Sequence, residues 1–155
     1  MGHNVTGIIV SESDVKEIAS IIPFQYSHSL NQGFVIFPLT DELIDENIPA
    51  PMNFSFKEFV YLSQELSSIL IEASAKGAVL YCETDYFGGR GSQSAVVYKN
   101  GATVYPPKKA DSNVINQALE IMGAKVEQDG RDAFQSIGLG DYRSSYDILD
   151  SEENG

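Results

Sequence analysis

The sequence predicts an α+β domain whose sheet, antiparallel or mixed, has about five strands in the order β-α-β-α-β-β-β-α, with the helices mainly on one face. Two observations carry that expectation. Short β-branched runs alternate with segments whose apolar residues recur every three or four positions, so extended and helical periods both occur. The period also changes at Gly77, after which turn-bounded apolar runs follow one another as a meander.

The elements follow in order. Val5 to Val10 is a β-branched run and reads as a strand. Ser11-Glu12-Ser13-Asp14 supplies cap residues and first-turn acids for a helix carrying Val15, Ile18, Ala19 and Ile22, which Pro23 stops. Gly33 to Leu39 reads as a second strand, with Pro38 pushing it toward an edge or an early end. Thr40 to Met52 is acidic and proline-bearing, a surface loop or short helical turn with Asp41, Glu42, Asp45 and Glu46 close together.

Ser55 and Glu58 form a capping box, and Phe59, Leu62, Leu66, Leu70 and Ala73 continue it as the longest helix. Ala78 to Phe87, Ser92 to Tyr98 and Ala102 to Tyr105 then read as three antiparallel strands. Gly88-Gly89-Arg90-Gly91 joins the first pair, Asn100-Gly101 the second, and Pro106-Pro107 ends the last. Asp111 or Ser112 caps a helix with Val114, Ile115, Ala118, Leu119 and Met122 on one face, closed by Gly123. A short helix is expected from Asp129 to Gly138. The expected organisation is one domain over residues 1–140 and an acidic, frayed tail over 141–155.

Composition narrows the function classes. The formal charge is −12, from 22 acidic and 10 basic residues. A nucleic-acid binder needs a basic stripe to displace counterions, and the sequence has none. Anionic lipid surfaces would repel such a chain, and no run of about 18 apolar residues offers a membrane span. A basic protein would be attracted and its encounter accelerated. Cys82 is the one cysteine and lies in an apolar run, so no intramolecular disulfide forms. The N-terminus lacks a basic start followed by a long apolar stretch, so cytoplasmic residence is expected. His3 and His28 are too isolated for a metal site, and no cofactor is expected.

One segment stands out: Glu83-Thr84-Asp85-Tyr86-Phe87-Gly88-Gly89-Arg90-Gly91-Ser92-Gln93. On a strand, Glu83 and Asp85 share a face, and Gln93 on the returning strand is expected to face them. Read as chemistry, this is a paired-carboxylate site with Arg90 binding an anion. Read as structure, it is a hairpin with one polar face whose glycines satisfy the turn. The absence of a neighbouring histidine favours the structural reading. The glycines match neither nucleotide-binding pattern.

At these residues the chain resembles a poorly characterised family of small bacterial proteins sharing an acid-x-acid-aromatic-Phe-Gly-Gly-x-Gly-x-Gln hairpin. The resemblance continues into Val96-Val97-Tyr98, and more loosely into Phe37 to Asp41, Asn116 to Leu119 and Phe134 to Gly140. In size and charge the chain is also similar to immunity proteins that neutralise bacterial toxins.

That likeness implies an acidic protein-binding module that inhibits a basic, nuclease-like toxin domain. Its binding surface is expected at Asp41, Glu42, Asp45 and Glu46, with Glu83, Asp85, Tyr86, Arg90 and Gln93. Two alternatives stand beside it: a small enzyme working at Glu83, Asp85 and Arg90, and a homo-oligomeric structural protein that buries the hairpin.

Overall fold

Four uninterrupted apolar runs build the middle of the sheet: Ile8-Ile9-Val10, Phe34 to Phe37, Val79 to Cys82 and Ala95 to Tyr98. Every residue in them is buried. A computed structural model of the protein describes residues 3–87, 90–125 and 144–154. Its elements are β1 (Thr6–Ser11), α1 (Val15–Ala19), β2 (His28–Ser29), β3 (Phe34–Leu39), α2 (Asp41–Asn47), α3 (Gln64–Ala73), β4 (Val79–Phe87), β5 (Arg90–Lys99), β6 (Ala102–Ala110), α4 (Val114–Ile121) and α5 (Ser145–Asn154).

The six strands run β2-β3-β1-β4-β5-β6, each antiparallel to its neighbour. The α+β class is the expected one, with the two-residue β2 as the additional strand. It covers only Val35 and Ile36, so Pro38 lies beyond it on an open edge, where a missing N–H costs no ladder bond. At the Asn100-Gly101 turn both residues have positive φ (54° and 77°), as a tight hairpin turn requires.

The helices are not gathered on one face. Because strand side chains alternate, one set (Ile8, Val10, Val35, Phe37, Tyr81, Tyr98) packs against Ile18 of α1, Ile44 of α2 and Leu66 and Leu70 of α3. The other set (Ile9, Ile36, Leu80, Cys82, Val97) packs against Val114, Ile115, Ala118 and Leu119 of α4 and Ile148 of α5. Continuous apolar strands, rather than alternating ones, are what a sheet covered on both faces demands.

Four boundaries also differ from expectation, each for a tertiary reason. The longest expected helix starts late, at Gln64, where the Ser63 hydroxyl accepts the Leu66 N–H at 3.1 Å. Residues 53–62 are instead a loop held by longer-range bonds: Glu65 accepts both the Asn53 N–H (2.6 Å) and its side-chain amide (3.0 Å). Phe59 and Leu62 remain buried, Phe59 edge-on to Tyr81 with ring centroids 5.3 Å apart.

Strand β6 continues through Pro106-Pro107 to Ala110, since it is an edge strand and its register shifts beside the prolines. Neither Asp111 nor Ser112 caps α4; its N-cap is Asn113, in a left-handed conformation, and the cap bond comes from another strand, as described below.

Within the acidic segment expected as a frayed tail, Ser145 and Ile148 pack onto the sheet. Ile148 is fully buried, and the Ser145 hydroxyl accepts the Thr6 N–H (2.9 Å) and donates to the Thr6 carbonyl (3.0 Å). The short helix expected from Asp129 to Gly138 lies outside the described residues. Among the described residues, no helix is long and apolar enough to cross a membrane.

Candidate functional site

The registers place Leu39, Thr6, Glu83, Ser94 and Lys109 in one row across the sheet. Two residues beyond that row on their own segments come Asp41 and Asp85. The two acidic groups, some forty residues apart in sequence, therefore emerge at the same end of the sheet.

On β4, Tyr81, Glu83 and Asp85 point to the same side by strand alternation. Glu83 is buried, and its carboxylate is committed. Oε1 accepts the Val60 N–H at 2.8 Å, and Oε2 accepts the Tyr61 N–H at 2.9 Å and the Tyr81 hydroxyl at 2.6 Å. The carboxylate is thus the anchor of the loop 53–62, filling a nest of consecutive backbone N–H groups.

Burial, followed by the charge of Glu83, drives the Tyr81 phenol well above its ordinary value. The same two causes push the Cys82 thiol up to about 12. Neither group gives up a proton near neutral pH, and the fully buried thiol is inert toward reagents. Asp85, by contrast, is exposed.

Gln93 does not face the acids. It lies opposite Thr84, one residue out of step with Glu83, and so occupies the other side of the sheet. There its Nε2 donates to the Tyr86 hydroxyl at 3.0 Å, and its Oε1 accepts the Ile115 N–H at 2.7 Å, capping α4 from β5. The Tyr86 hydroxyl in turn donates to the Asp111 carbonyl. On the same side Thr84 accepts the Val5 N–H (2.8 Å) and bonds to His3 Nδ1 (2.7 Å).

Arg90 is exposed at the end of the hairpin, across from Phe87. Gly91 has a steric reason: a Cβ there would lie 1.9 Å from the Asp85 carbonyl oxygen. The motif thus divides, Glu83 holding a loop on one face while Tyr86 and Gln93 hold a helix on the other.

Four carboxylates come from α2. Asp41, Glu42, Asp45 and Glu46 are all exposed. Thr40 caps the helix, its hydroxyl accepting the Leu43 N–H at 3.2 Å, and Asp41 and Glu42 occupy the first turn, where the helix dipole favours negative charge. The Tyr146 hydroxyl of α5 donates to Glu42 Oε2 at 2.7 Å. That bond holds Glu42 below the usual carboxylate range, and it pushes the Tyr146 phenol up to about 12.

Two adjoining cavities open at this end of the sheet and share Asn4, Thr6 and Tyr61. One, of about 180 Å³, lies by the hairpin and is lined by Glu58, Glu83, Asp85, Ser92 and Lys109 among others. The second, of about 140 Å³, lies between α2 and α5, with Leu39, Ile44, Asp41, Tyr61 and Tyr146 in its walls. Together they make a groove in which Asp41, Glu58, Glu83 and Asp85 face a single basic residue, Lys109, beside two exposed tyrosines.

Sequence reasoning did not find Tyr61, Tyr146 or Lys109. The first lay in an expected helix, the second in an expected tail, and the third beyond prolines taken to end a strand. Among the described residues, no three His, Cys, Asp or Glu side chains are grouped to hold a metal ion. Compared with known proteins, the chain matches no family model, no curated protein and no solved structure.

Proposed function

We propose that the chain is an acidic protein-binding module, of the immunity type, that neutralises a basic and nuclease-like toxin domain by covering it. The observation that carries this reading is the surface at one end of the sheet. Four carboxylates of α2 are exposed there, beside a cavity walled by two tyrosines that are themselves 38% and 53% exposed. Exposed aromatic residues supply contact area, and a net negative field supplies steering. Such fields raise association rates by roughly 10- to 1,000-fold at low salt and are screened over about 8 Å at physiological ionic strength.

The catalytic alternative finds less support. A general base needs a free oxygen within reach of substrate, yet both oxygens of Glu83 already hold donors from the protein. Gln93 works on the opposite face.

Co-expression with a candidate basic toxin domain tests the proposal through rescue of growth, and stopped-flow association with the purified domain tests its physics. Neutralising α2 (Asp41→Asn, Glu42→Gln, Asp45→Asn, Glu46→Gln) is expected to slow association by about tenfold at low salt, and by less as salt is raised. Association with unchanged rate and salt dependence, or failure of every basic domain tried to bind, refutes it.

A further inference from the structure

The structure assigns a ligand to the cavity between α2 and α5: one arginine side chain presented by the partner protein. This inference rests on the reading of the chain as a binder of basic proteins, and it names the group that reading requires. Size comes first. The cavity holds about 140 Å³, against the roughly 300 Å³ at which pockets begin to enclose a metabolite-sized molecule. By itself it takes one side chain, and a larger ligand would have to extend past Asn4, Thr6 and Tyr61 into the adjoining cavity.

The lining then selects which one. Leu39 and Ile44, both buried, give an apolar surface for a hydrocarbon stem. Tyr61 and Tyr146 stand in its wall, and guanidinium stacks on aromatic rings better than the compact, strongly hydrated ammonium of lysine. Asp41 stands in the same wall. One of its oxygens accepts the Glu42 N–H at 3.1 Å, which leaves most of the carboxylate's acceptor capacity open to a forked donor.

The hydroxyl protons of three other groups in the wall are already given to acceptors of the protein, which favours a cation over an anion. Tyr146 gives its proton to Glu42 at 2.7 Å, which fixes the ring and sets a second carboxylate beside the cavity. The Thr40 hydroxyl accepts from Leu43 and gives its proton to Glu42, and the Ser145 hydroxyl is spent on Thr6. The groups left to meet a ligand include the Asp41 carboxylate, the two tyrosine side chains and the exposed Asn4.

The test is titration of the intact protein with N-acetyl-arginine amide, followed by amide and tyrosine-ring NMR. N-acetyl-lysine amide and the neutral isostere N-acetyl-citrulline amide serve as controls. Saturable shifts centred on Asp41, Tyr61 and Tyr146 are expected, with the arginine probe binding at least about fivefold tighter than lysine and tighter still than citrulline. Asp41→Asn, at an exposed position that leaves the core untouched, is expected to weaken the arginine probe by about tenfold.

Shifts that do not saturate, that are equal for arginine and citrulline, or that survive Asp41→Asn unchanged overturn the proposal. The two readings fail separately. Partner binding that responds to α2 charge while the arginine probe gives no saturable shift removes the cavity proposal alone. Saturable arginine binding with no basic protein bound removes the binder reading, and with it a partner protein as the source of the guanidinium.

Discussion

Truncating Glu83 to alanine removes three hydrogen bonds at once, and their costs differ because their donors sit in different surroundings. Tyr81 is fully buried, so its hydroxyl loses its acceptor with no water to replace it, at roughly 1–3 kcal/mol. The Val60 and Tyr61 N–H groups belong to residues 65% and 38% exposed, and water can take them up, so each costs about 0.5–1.5 kcal/mol. Relief from holding a charge out of water returns part of this.

The net loss expected for Glu83→Ala is therefore on the order of 2–5 kcal/mol, read from urea denaturation. Tyr81→Phe alone is expected to cost about 1 kcal/mol, and adding it to Glu83→Ala should cost nothing further or restore stability, because it deletes the orphaned hydroxyl. Amide exchange at Val60 and Tyr61 should accelerate in Glu83→Ala well beyond the global change, and the buried Cys82 thiol reports global opening through its reaction with a disulfide reagent. A loss below about 1 kcal/mol, with exchange in the 53–62 loop unchanged, would show that the carboxylate does not hold that loop.

Other positions give independent checks. Gly91→Ala drives a methyl into the Asp85 carbonyl, with 1.9 Å available; a loss of roughly 2–4 kcal/mol is expected, and thermal unfolding within about 2 °C of wild type would refute the steric argument. Gln93→Ala uncaps α4 and frees the Tyr86 hydroxyl. It should cost about 1–2 kcal/mol, with faster exchange at Ile115 and none of the effect in the 53–62 loop.

Alkaline pH should destabilise the fold. Cys82 and Tyr81 have folded pKa values above their unfolded ones, so the folded chain holds protons that the unfolded chain releases. Stability from these groups is intact below about pH 9 and falls as pH rises toward about 12, by at most about 1.4 kcal/mol per unit for each group. In Cys82→Ala the decline should begin nearer pH 10, where tyrosine takes over. A urea midpoint flat to about pH 11 would contradict the sign.

Local chemistry was legible in the sequence wherever it decided the outcome. Asn100-Gly101 could be read as a turn because two adjacent residues with positive φ need little else. Gly123, with φ of +97°, ends α4 for the same reason. The Ser55/Glu58 box misled because a distant residue won: the N–H groups of Val60 and Tyr61 bond to Glu83, more than twenty positions away.

The two-sided sheet was also written in the chain, as apolar runs without alternation at Val79 to Cys82 and Ala95 to Tyr98, though their meaning depends on which helices cover them. Of the candidate site, the carboxylates of α2 were visible as a cluster. Their meeting with Tyr61 and Tyr146 was not, because strand register and a returning helix create it, and neither leaves a local mark.

That returning helix bears on how the protein is made. Among the described elements β1 is synthesised first, yet it lies inside the sheet, between β3 and β4. Its Thr6 N–H and carbonyl both bond to the Ser145 hydroxyl, a separation of 139 residues. Contacts of such span are slow to form and have no local substitute. The nascent chain must therefore keep an apolar central strand soluble at least until β4 has been synthesised, because both of its neighbours follow it, and the Ser145 bonds form later still. A cell producing it depends on that interval being short, or on something that shields Ile8 to Val10 while it lasts.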